Sequence, residues 1–287
     1  MHRRPVQDRQ CYHHNPLFAR PPMPLPRRFA FVTLDSCRYD AFEQARAPRL
    51  KALGRLYRAQ APSHFTFGSH AAMFVGFTPG VAECREPYVN PKWARIFRMQ
   101  GVPAPRPGAL FTLQGATVVQ GMRALGYATI GAGAVAWFNP QTPTGRILCA
   151  DFERFYFSTQ RWGLPDQLRF IEAELARLPP DHPAFVFLNV GETHVPYYHQ
   201  GAPWEPWPGP CEAFGEHNDA SECRRRQIAC VEYVDALLGP LLERFDAVVL
   251  CADHGDCWGE DGLWEHGISH PKTLEVPLIL KLPAAIA

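Results

Sequence analysis

The apolar positions of this chain fall into short runs separated by longer amphipathic stretches, and the two patterns alternate. Phe29-Ala-Phe-Val-Thr-Leu34 is a compact apolar run suited to a strand buried on both faces, and it ends in Asp35. Residues 47–59 place Leu50, Leu53 and Leu56 at i, i+3 and i+6, which predicts a helix. Residues 68–76 are small and apolar, as expected of a helix packed closely against a sheet. A helix over 116–125, stopped by Gly126, leads into a strand that begins at residues 127–130. Another helix is predicted over 165–178 and another strand over 185–190. A long helix over 221–244 carries Ile228, Val231, Val234, Leu237, Leu238 and Leu241 on one face. Strands follow at 247–252 and 276–281. Apolar strands alternating with helices predict an α/β fold, a mostly parallel central sheet with helices on both faces. Such sheets bind ligands at the carboxyl ends of their strands. Residues 1–27 are polar, proline-rich and aperiodic, and read as an irregular leader; residues 28–287 read as one domain without internal repeats. Residues 78–112 are rich in Pro, Arg and aromatics with no period, which marks a functional loop or a misread element.

Composition narrows the partners. The 287 residues are 46% hydrophobic and 20% charged, with a net charge of +1 when the twelve histidines are neutral. That balance argues against nucleic acid or an anionic membrane as the main partner, and Arg224-Arg225-Arg226 reads as a solvated helix face. The expected partner is a small-molecule ester, with a homo-oligomer left open. The 29 prolines imply long irregular connections. The cysteines, Cys11, Cys37, Cys84, Cys149, Cys211, Cys223, Cys230, Cys251 and Cys257, are odd in number and form no CxxC pair. Several fall within predicted core elements, so the chain reads as reduced and cytoplasmic. The N-terminal stretch has no apolar h-region, and no apolar run approaches the length of a membrane span.

Three predicted strands end in groups that bind metals or protons: Asp35, then Glu192-Thr193-His194, then Asp253-His254-Gly255-Asp256, the last followed by Glu265-His266-Gly267. A fourth cluster, Thr66-Phe67-Gly68-Ser69-His70, opens the small-residue helix. Each piece alone has an ordinary reading. A strand-end aspartate caps helices, Asp-His-Gly makes turns, and a single histidine sits on surfaces. Three such endings on the edge where α/β sites form point instead to a metal centre, and carboxylate plus imidazole donors suit Zn²⁺ or Mn²⁺.

These residues resemble the sulfatase branch of the alkaline phosphatase superfamily. Asp253-His254-Gly255-Asp256 followed by Glu265-His266-Gly267 resembles that family's "SDHGE … GEHG" signature, and Lys272-Thr273-Leu274-Glu275-Val276-Pro277-Leu278-Ile279 resembles the segment that follows it. Asp35-Ser36-Cys37-Arg38-Tyr39-Asp40 resembles the end of the family's first strand, Thr66–Gly76 lies over the nucleophile segment, and Thr193-His194-Val195-Pro196-Tyr197 resembles "THxPY". The matches keep the family's order across residues 29–282 and come nearest to a short cytosolic sulfatase-like group. The resemblance implies an alkaline phosphatase-like core without the sulfatase C-terminal subdomain. It implies one metal on Asp35, Thr66, Asp253 and His254. It also implies that His194 and His266 bind a second metal or grip substrate oxygens, for a cofactor of one or two Zn or Mn ions.

Three departures shape the expected chemistry. Thr66 stands where sulfatases have Cys or Ser, and threonine cannot become formylglycine, so phosphorus esters are favoured over sulfate esters. His70 replaces the sulfatase Arg and is expected to contact the metal-bound oxygen or the leaving group, or to pack. Ser36 replaces a second Asp, and one carboxylate fewer suits Zn²⁺ or Mn²⁺ better than Ca²⁺. The expected reaction is metal-dependent hydrolysis of a phosphomonoester, phosphodiester or phosphonate ester, with Thr66 attacking to give a phospho-threonine and His194 or His266 assisting the leaving oxygen. The alternatives are a phospho-group transferase, an isomerase, or a non-catalytic metabolite-binding or scaffold protein. Tyr88, Trp93, Tyr197, Tyr198, Trp204 and Trp207 are expected either to stack on a substrate or to anchor surface loops.

Overall fold

The computed structural model describes residues 25–76, 97–99, 111–113, 115–213 and 215–283. A seven-stranded sheet runs through it in the order β2-β11-β8-β1-β7-β5-β6. The strands are β1 (Arg28–Leu34), β2 (Leu56–Gln60), β5 (Ala128–Gly133), β6 (Arg154–Phe157), β7 (Ala184–Val190), β8 (Ala247–Ala252) and β11 (Glu275–Lys281). The five strands from β8 to β6 are parallel to one another; β11 is antiparallel to both β8 and β2. This is the mostly parallel α/β sheet that the alternating pattern predicts. Two short strands, β3 (Phe97–Met99) and β4 (Phe111–Leu113), pair within the segment read as aperiodic. Tyr88 and Trp93 lie outside the described residues.

Every side chain of β7 is buried, as expected for a strand covered on both faces. One face belongs to a core of Val32, Leu34, Leu50, Ile171, Val186, Leu188, Val234 and Leu238, reached by α6 (Leu164–Ala176) and α7 (Ala220–Glu243). The other belongs to an aromatic core of Phe74, Phe138, Phe152, Phe185 and Phe187 under α3 (Thr66–Val75). The stack around Phe187 includes edge-on contacts to Phe74 at 5.0 Å and Phe31 at 5.7 Å, a geometry the ring quadrupole favours.

The structure corrects the helix expected over 47–59. Helix α2 covers only Pro48–Ala52, and Leu56 already belongs to β2. The break is at Gly54, where a β-carbon would lie 2.3 Å from the Leu280 carbonyl oxygen of β11. The chain passes too close to the sheet edge for any side chain and turns there to pair with β11. Leu50, Leu53 and Leu56 all still pack into the same core. Their spacing was a true burial signal carried by two different backbones.

Register places the strand ends together. Leu34 of β1 is level with Val190 of β7 on one side and Ala252 of β8 on the other. Asp35, Gly191 and Asp253 therefore leave the sheet side by side at its carboxyl edge. Among the described residues no helix is long and apolar enough to cross a membrane.

Candidate active site

The strand-end residues converge on Thr66. Its Oγ1 lies 3.3 Å from His254 Nε2 and 3.5 Å from Asp35 Oδ1. His254 Nε2 is also 3.6 Å from Asp253 Oδ2 and 3.8 Å from Asp35 Oδ1. All four residues are fully buried. Thr66 is the first residue of α3, with Phe65 as N-cap. The N–H groups of its first turn have no partner within the helix and face the same edge.

The backbone is bent to serve this point. Ser36 adopts a left-handed φ of 58°, a conformation a serine holds only under local compulsion. It aims the Ser36 N–H at Asp253 Oδ1 over 3.1 Å. Asp253 Oδ1 also accepts from the His254 N–H, whereas Oδ2 is buried without a partner. Ser69 Oγ donates to the Asp253 carbonyl over 2.6 Å and ties α3 to the end of β8.

Two buried carboxylates cannot both stay ionised here without a cation. Burial first, then the charge of Asp35, pushes the Asp253 carboxyl well above the ordinary range. Burial would raise Asp35 too, but His194, His254 and the Asn189 hydrogen bond outweigh it and hold the group low. Two carboxylates, one of them with an orphaned oxygen, an imidazole nitrogen and a hydroxyl form a donor set that fits a divalent metal.

Three imidazoles are oriented alike. His254 donates from Nδ1 to the Gly255 carbonyl, His194 from Nδ1 to the Val195 carbonyl, and His266 from Nδ1 to Asp256 Oδ1. Each keeps its Nε2 lone pair for the site, the tautomer that metal-binding histidines adopt. The His266 ring lies 4.5 Å from that of His254 and 5.1 Å from that of His194. His194 Nε2 is 3.9 Å from Asp35 Oδ1. Burial depresses His254 to about 4 and lowers His194 as well. His266 is raised instead, because its Asp256 hydrogen bond outweighs burial. Asp256 is fixed in turn by the Tyr197 hydroxyl at 2.7 Å, and that hydroxyl accepts from Trp258 Nε1 at 2.8 Å.

Of the roles open to His70, the structure shows packing and hydrogen bonding beneath the nucleophile. His70 Nδ1 donates to the Thr66 carbonyl and its Nε2 accepts from the Thr33 hydroxyl, both over 2.8 Å. Both nitrogens are used beneath Thr66, and burial lowers the ring to about 4, so it is neutral and supports the nucleophile from below. Among the described loop aromatics Tyr197, Tyr198 and Trp204 act as anchors, whereas Trp207 is exposed. Tyr197 is buried, Trp204 packs under Arg225 and donates to the Tyr197 carbonyl, and Tyr198 meets Trp162 edge-on. His199 stacks on Tyr233 at 4.3 Å.

Several residues that hold the site were not singled out from the sequence. Asn189 donates to Asp35 Oδ2 over 3.0 Å. Gln227 on α7 donates to the carbonyls of both Ser36 and Thr193, and its own carbonyl accepts from the Arg38 N–H. Arg38, almost fully buried, makes paired bonds to Asp40, a 2.8 Å contact to Glu260 and a stack 4.0 Å above Trp258. It clamps the loop after β1 to the loop after β8. Asp40→Asn is expected to cost about 2–4 kcal/mol at pH 7, because it strands part of a buried guanidinium. Burial would raise the Asp40 carboxyl, but Arg38 and then Lys272 hold it well below the usual range. A depressed carboxyl stabilises above its unfolded pKa of about 3.9 and loses that contribution as pH falls through the folded value. Urea denaturation of both proteins should therefore show a constant gap from pH 7 to about pH 5 that narrows as pH falls below about 4.

No family model matches the sequence, and no curated protein matches it. Solved structures do match the fold. The integral membrane lipooligosaccharide phosphoethanolamine transferase A of Neisseria meningitidis superposes with a TM-score of 0.57 at 17% identity over 93% of this chain. The chain spans about half, 49%, of the length of that protein. The C-terminal periplasmic domain of EcEptC from Escherichia coli, solved in complex with Zn, gives 0.60 at 13% identity, covering 91% of this chain and 74% of its own. The phosphonate monoester hydrolase of Agrobacterium radiobacter gives 0.57 at 15% identity, covering 90% and 68%.

Proposed function

On the alkaline phosphatase-like fold that this chain has, we propose a metal-dependent enzyme that cleaves or transfers phosphorus esters with Thr66 as nucleophile. The observation that carries the proposal is the placement of the Thr66 hydroxyl at a helix start, within 3.5 Å of both His254 and Asp35, beside the orphaned Asp253 Oδ2. Asp35, Thr66, Asp253 and His254 would hold the metal. When bound, a divalent ion lowers the pKa of a coordinated hydroxyl and offsets charge on phosphoryl oxygens.

The residues supply the rest. Thr66 Oγ1, its hydroxyl proton released to solvent as the group ionises, attacks phosphorus in line; the new Oγ1–P bond forms as the bond to the leaving oxygen breaks, and a phospho-threonine results. The Phe67 and Gly68 N–H groups at the helix start stabilise the charge on the phosphoryl oxygens. Of His194 and His266, the second is better placed to give a proton to the leaving oxygen, because Asp256 holds its ring and favours its protonated form, whereas His194 offers an Nε2 lone pair. Water as acceptor completes hydrolysis; an alcohol or amine completes a transfer. The donor set suits Zn²⁺ or Mn²⁺. A stoichiometry of two would assign His194 and His266 to a second ion. A reducing, cytoplasmic location is part of this proposal; it rests on the odd number of cysteines and their place in core elements, and Cys211 and Cys223, in hydrogen-bond contact, are then two thiols.

The test is metal analysis of protein purified without added metal, with turnover of aryl phosphate mono- and diesters, an aryl phosphonate and an aryl sulfate. About one or two equivalents of Zn²⁺ or Mn²⁺ are expected, with phosphorus esters turned over in preference to sulfate. Chelation should abolish turnover, and the same metal should restore it. No retained metal and no gain on adding Zn²⁺ or Mn²⁺ would leave a binding protein.

A further inference from the structure

Thr66 stands in the chain between two phenylalanines that neither the metal ligands nor the transfer step explains. Phe65 lays its ring over the first turn of α3; a β-carbon at Gly68 would lie 2.8 Å from Phe65 Cε1. Both rings meet the indole of Trp137. Phe67 stacks on it with centroids 5.7 Å apart and planes 28° apart, and Phe65 lies 6.1 Å away at 59°. Trp137 thus rests on the two residues that flank the nucleophile.

Its place in the fold explains its orientation. Trp137 lies in a 3-10 turn, Ala136–Phe138, shortly after β5, so it leaves the sheet at the same carboxyl edge as Asp35 and Asp253. The next residue, Phe138, is fully buried and meets His70 edge-on at 4.9 Å. His70 in turn bonds the Thr66 carbonyl. Phe138 anchors the turn beneath the nucleophile and Trp137 faces outward, 38% exposed. A large ring backed by Phe67 yet open on the ligand-bearing edge offers stacking surface that the fold itself does not use.

In-line displacement sets the attacking and leaving oxygens on opposite sides of phosphorus. Groups beside the nucleophile therefore meet the substituent that stays on phosphorus, not the departing alcohol. We propose that Trp137, backed by Phe65 and Phe67, is the specificity-determining residue of the site and receives a planar apolar group retained on the reacting phosphorus. This rests on the phosphorus-ester reading above and deepens it. The substrate class becomes a phosphodiester or phosphonate monoester with a flat retained substituent. A simple phosphomonoester has no group to place there.

The experiment uses the 4-nitrophenyl esters of phenylphosphonate and methylphosphonate, which share a leaving group and differ only in the retained substituent. The metal-loaded wild type is expected to favour the phenyl ester in kcat/KM beyond the ratio of the uncatalysed hydrolyses. Trp137→Ala and Trp137→Leu should each lower kcat/KM for the phenyl ester by about fivefold to tenfold, chiefly through KM, and leave the methyl ester within about twofold of wild type. Trp137→Phe should keep most of the preference. Leucine preserves apolar bulk without a ring, so it tests stacking even if the alanine variant folds poorly. Turnover of the methyl ester with no phenyl preference, or equal losses on both esters, overturns the platform alone. Turnover of neither ester by wild type overturns the phosphorus-ester reading, and the platform with it.

Discussion

Replacing Thr66 by alanine is expected to lower turnover of an aryl phosphodiester by about 10⁴-fold or more, the scale seen when a covalent nucleophile is removed. The fold should survive. The Thr66 side chain makes no hydrogen bonds beyond the long ones to Asp35 and His254, and alanine is favoured within helix α3. Asp35, Asp253 and His254 remain, so Thr66→Ala should still bind metal, with reduced affinity. Thr66→Ser should retain turnover to within about tenfold, because it keeps the hydroxyl that attacks. Rapid quenching of the wild type followed by peptide mass analysis should find the phosphorus group on the peptide that contains Thr66, and should find none in the alanine variant. Undiminished turnover by Thr66→Ala would remove threonine from the mechanism, whatever the metal content.

Asp253→Asn is expected to act in opposite directions on function and on stability. It removes a carboxylate from the metal site, so metal retention should be lost and turnover should fall by about 10³-fold or more. In metal-stripped protein the same change should raise the melting temperature by about 2–6 °C, equivalent to roughly 1–2 kcal/mol for a domain of this size. The reason lies in what surrounds each oxygen. Oδ1 accepts from the Ser36 and His254 N–H groups, and an asparagine oxygen can do the same. Oδ2 accepts no hydrogen bond; His254 Nε2, an acceptor, lies 3.6 Å away, and His70 Nδ1, whose proton is given to the Thr66 carbonyl, lies 3.7 Å away. An amide NH₂ there would donate to the His254 Nε2 lone pair, whereas a carboxylate is repelled by it and by the charge of Asp35. The sign of the pH effect follows. Burial and Asp35 raise the Asp253 carboxyl in the folded state, so the metal-free wild type binds more protons folded than unfolded. It must lose stability as pH rises above about 4. The advantage of Asp253→Asn should therefore be largest at neutral pH and shrink toward pH 4. Calorimetry of both proteins in chelator, with and without added Zn²⁺, measures both halves. A variant that melts lower than wild type in chelator, or retains zinc equally well, contradicts this account of the site.

Much of this site could be read along the chain, and the parts that could not share one feature. Asp35, Asp253 and His254 were legible because each ends an apolar run, and in a parallel sheet such ends gather at one edge. Thr66 was legible because it opens a run of small residues. The helix over 47–59 was misread because Leu50, Leu53 and Leu56 satisfy a helical period, whereas the Gly54 approach to Leu280 depends on a strand more than two hundred residues away. The sequence leaves His70 either facing the reacting groups or packing, because its place one turn from Thr66 allows both. Its neutral, supporting state depends on Thr33, which reaches it across the sheet face. Asn189 and Gln227 gave no local signal, since a polar residue within an apolar strand or beside a basic run shows nothing of the partners that make its burial tolerable.

The sequence by itself determined the alternation of strands and helices, the edge on which chemistry would collect, and the residue types suited to a metal and an activated hydroxyl. These are matters of period and of where apolar runs end, and both are local. The tertiary structure alone decided the register that sets Leu34 level with Val190 and Ala252, and hence the closeness of Asp35 to Asp253. It alone left Asp253 Oδ2 without a partner, turned three imidazoles to present Nε2, and set Trp137 on the phenylalanines beside Thr66. A buried polar group takes its character from what it touches, and in this fold those contacts come from segments far apart in the chain.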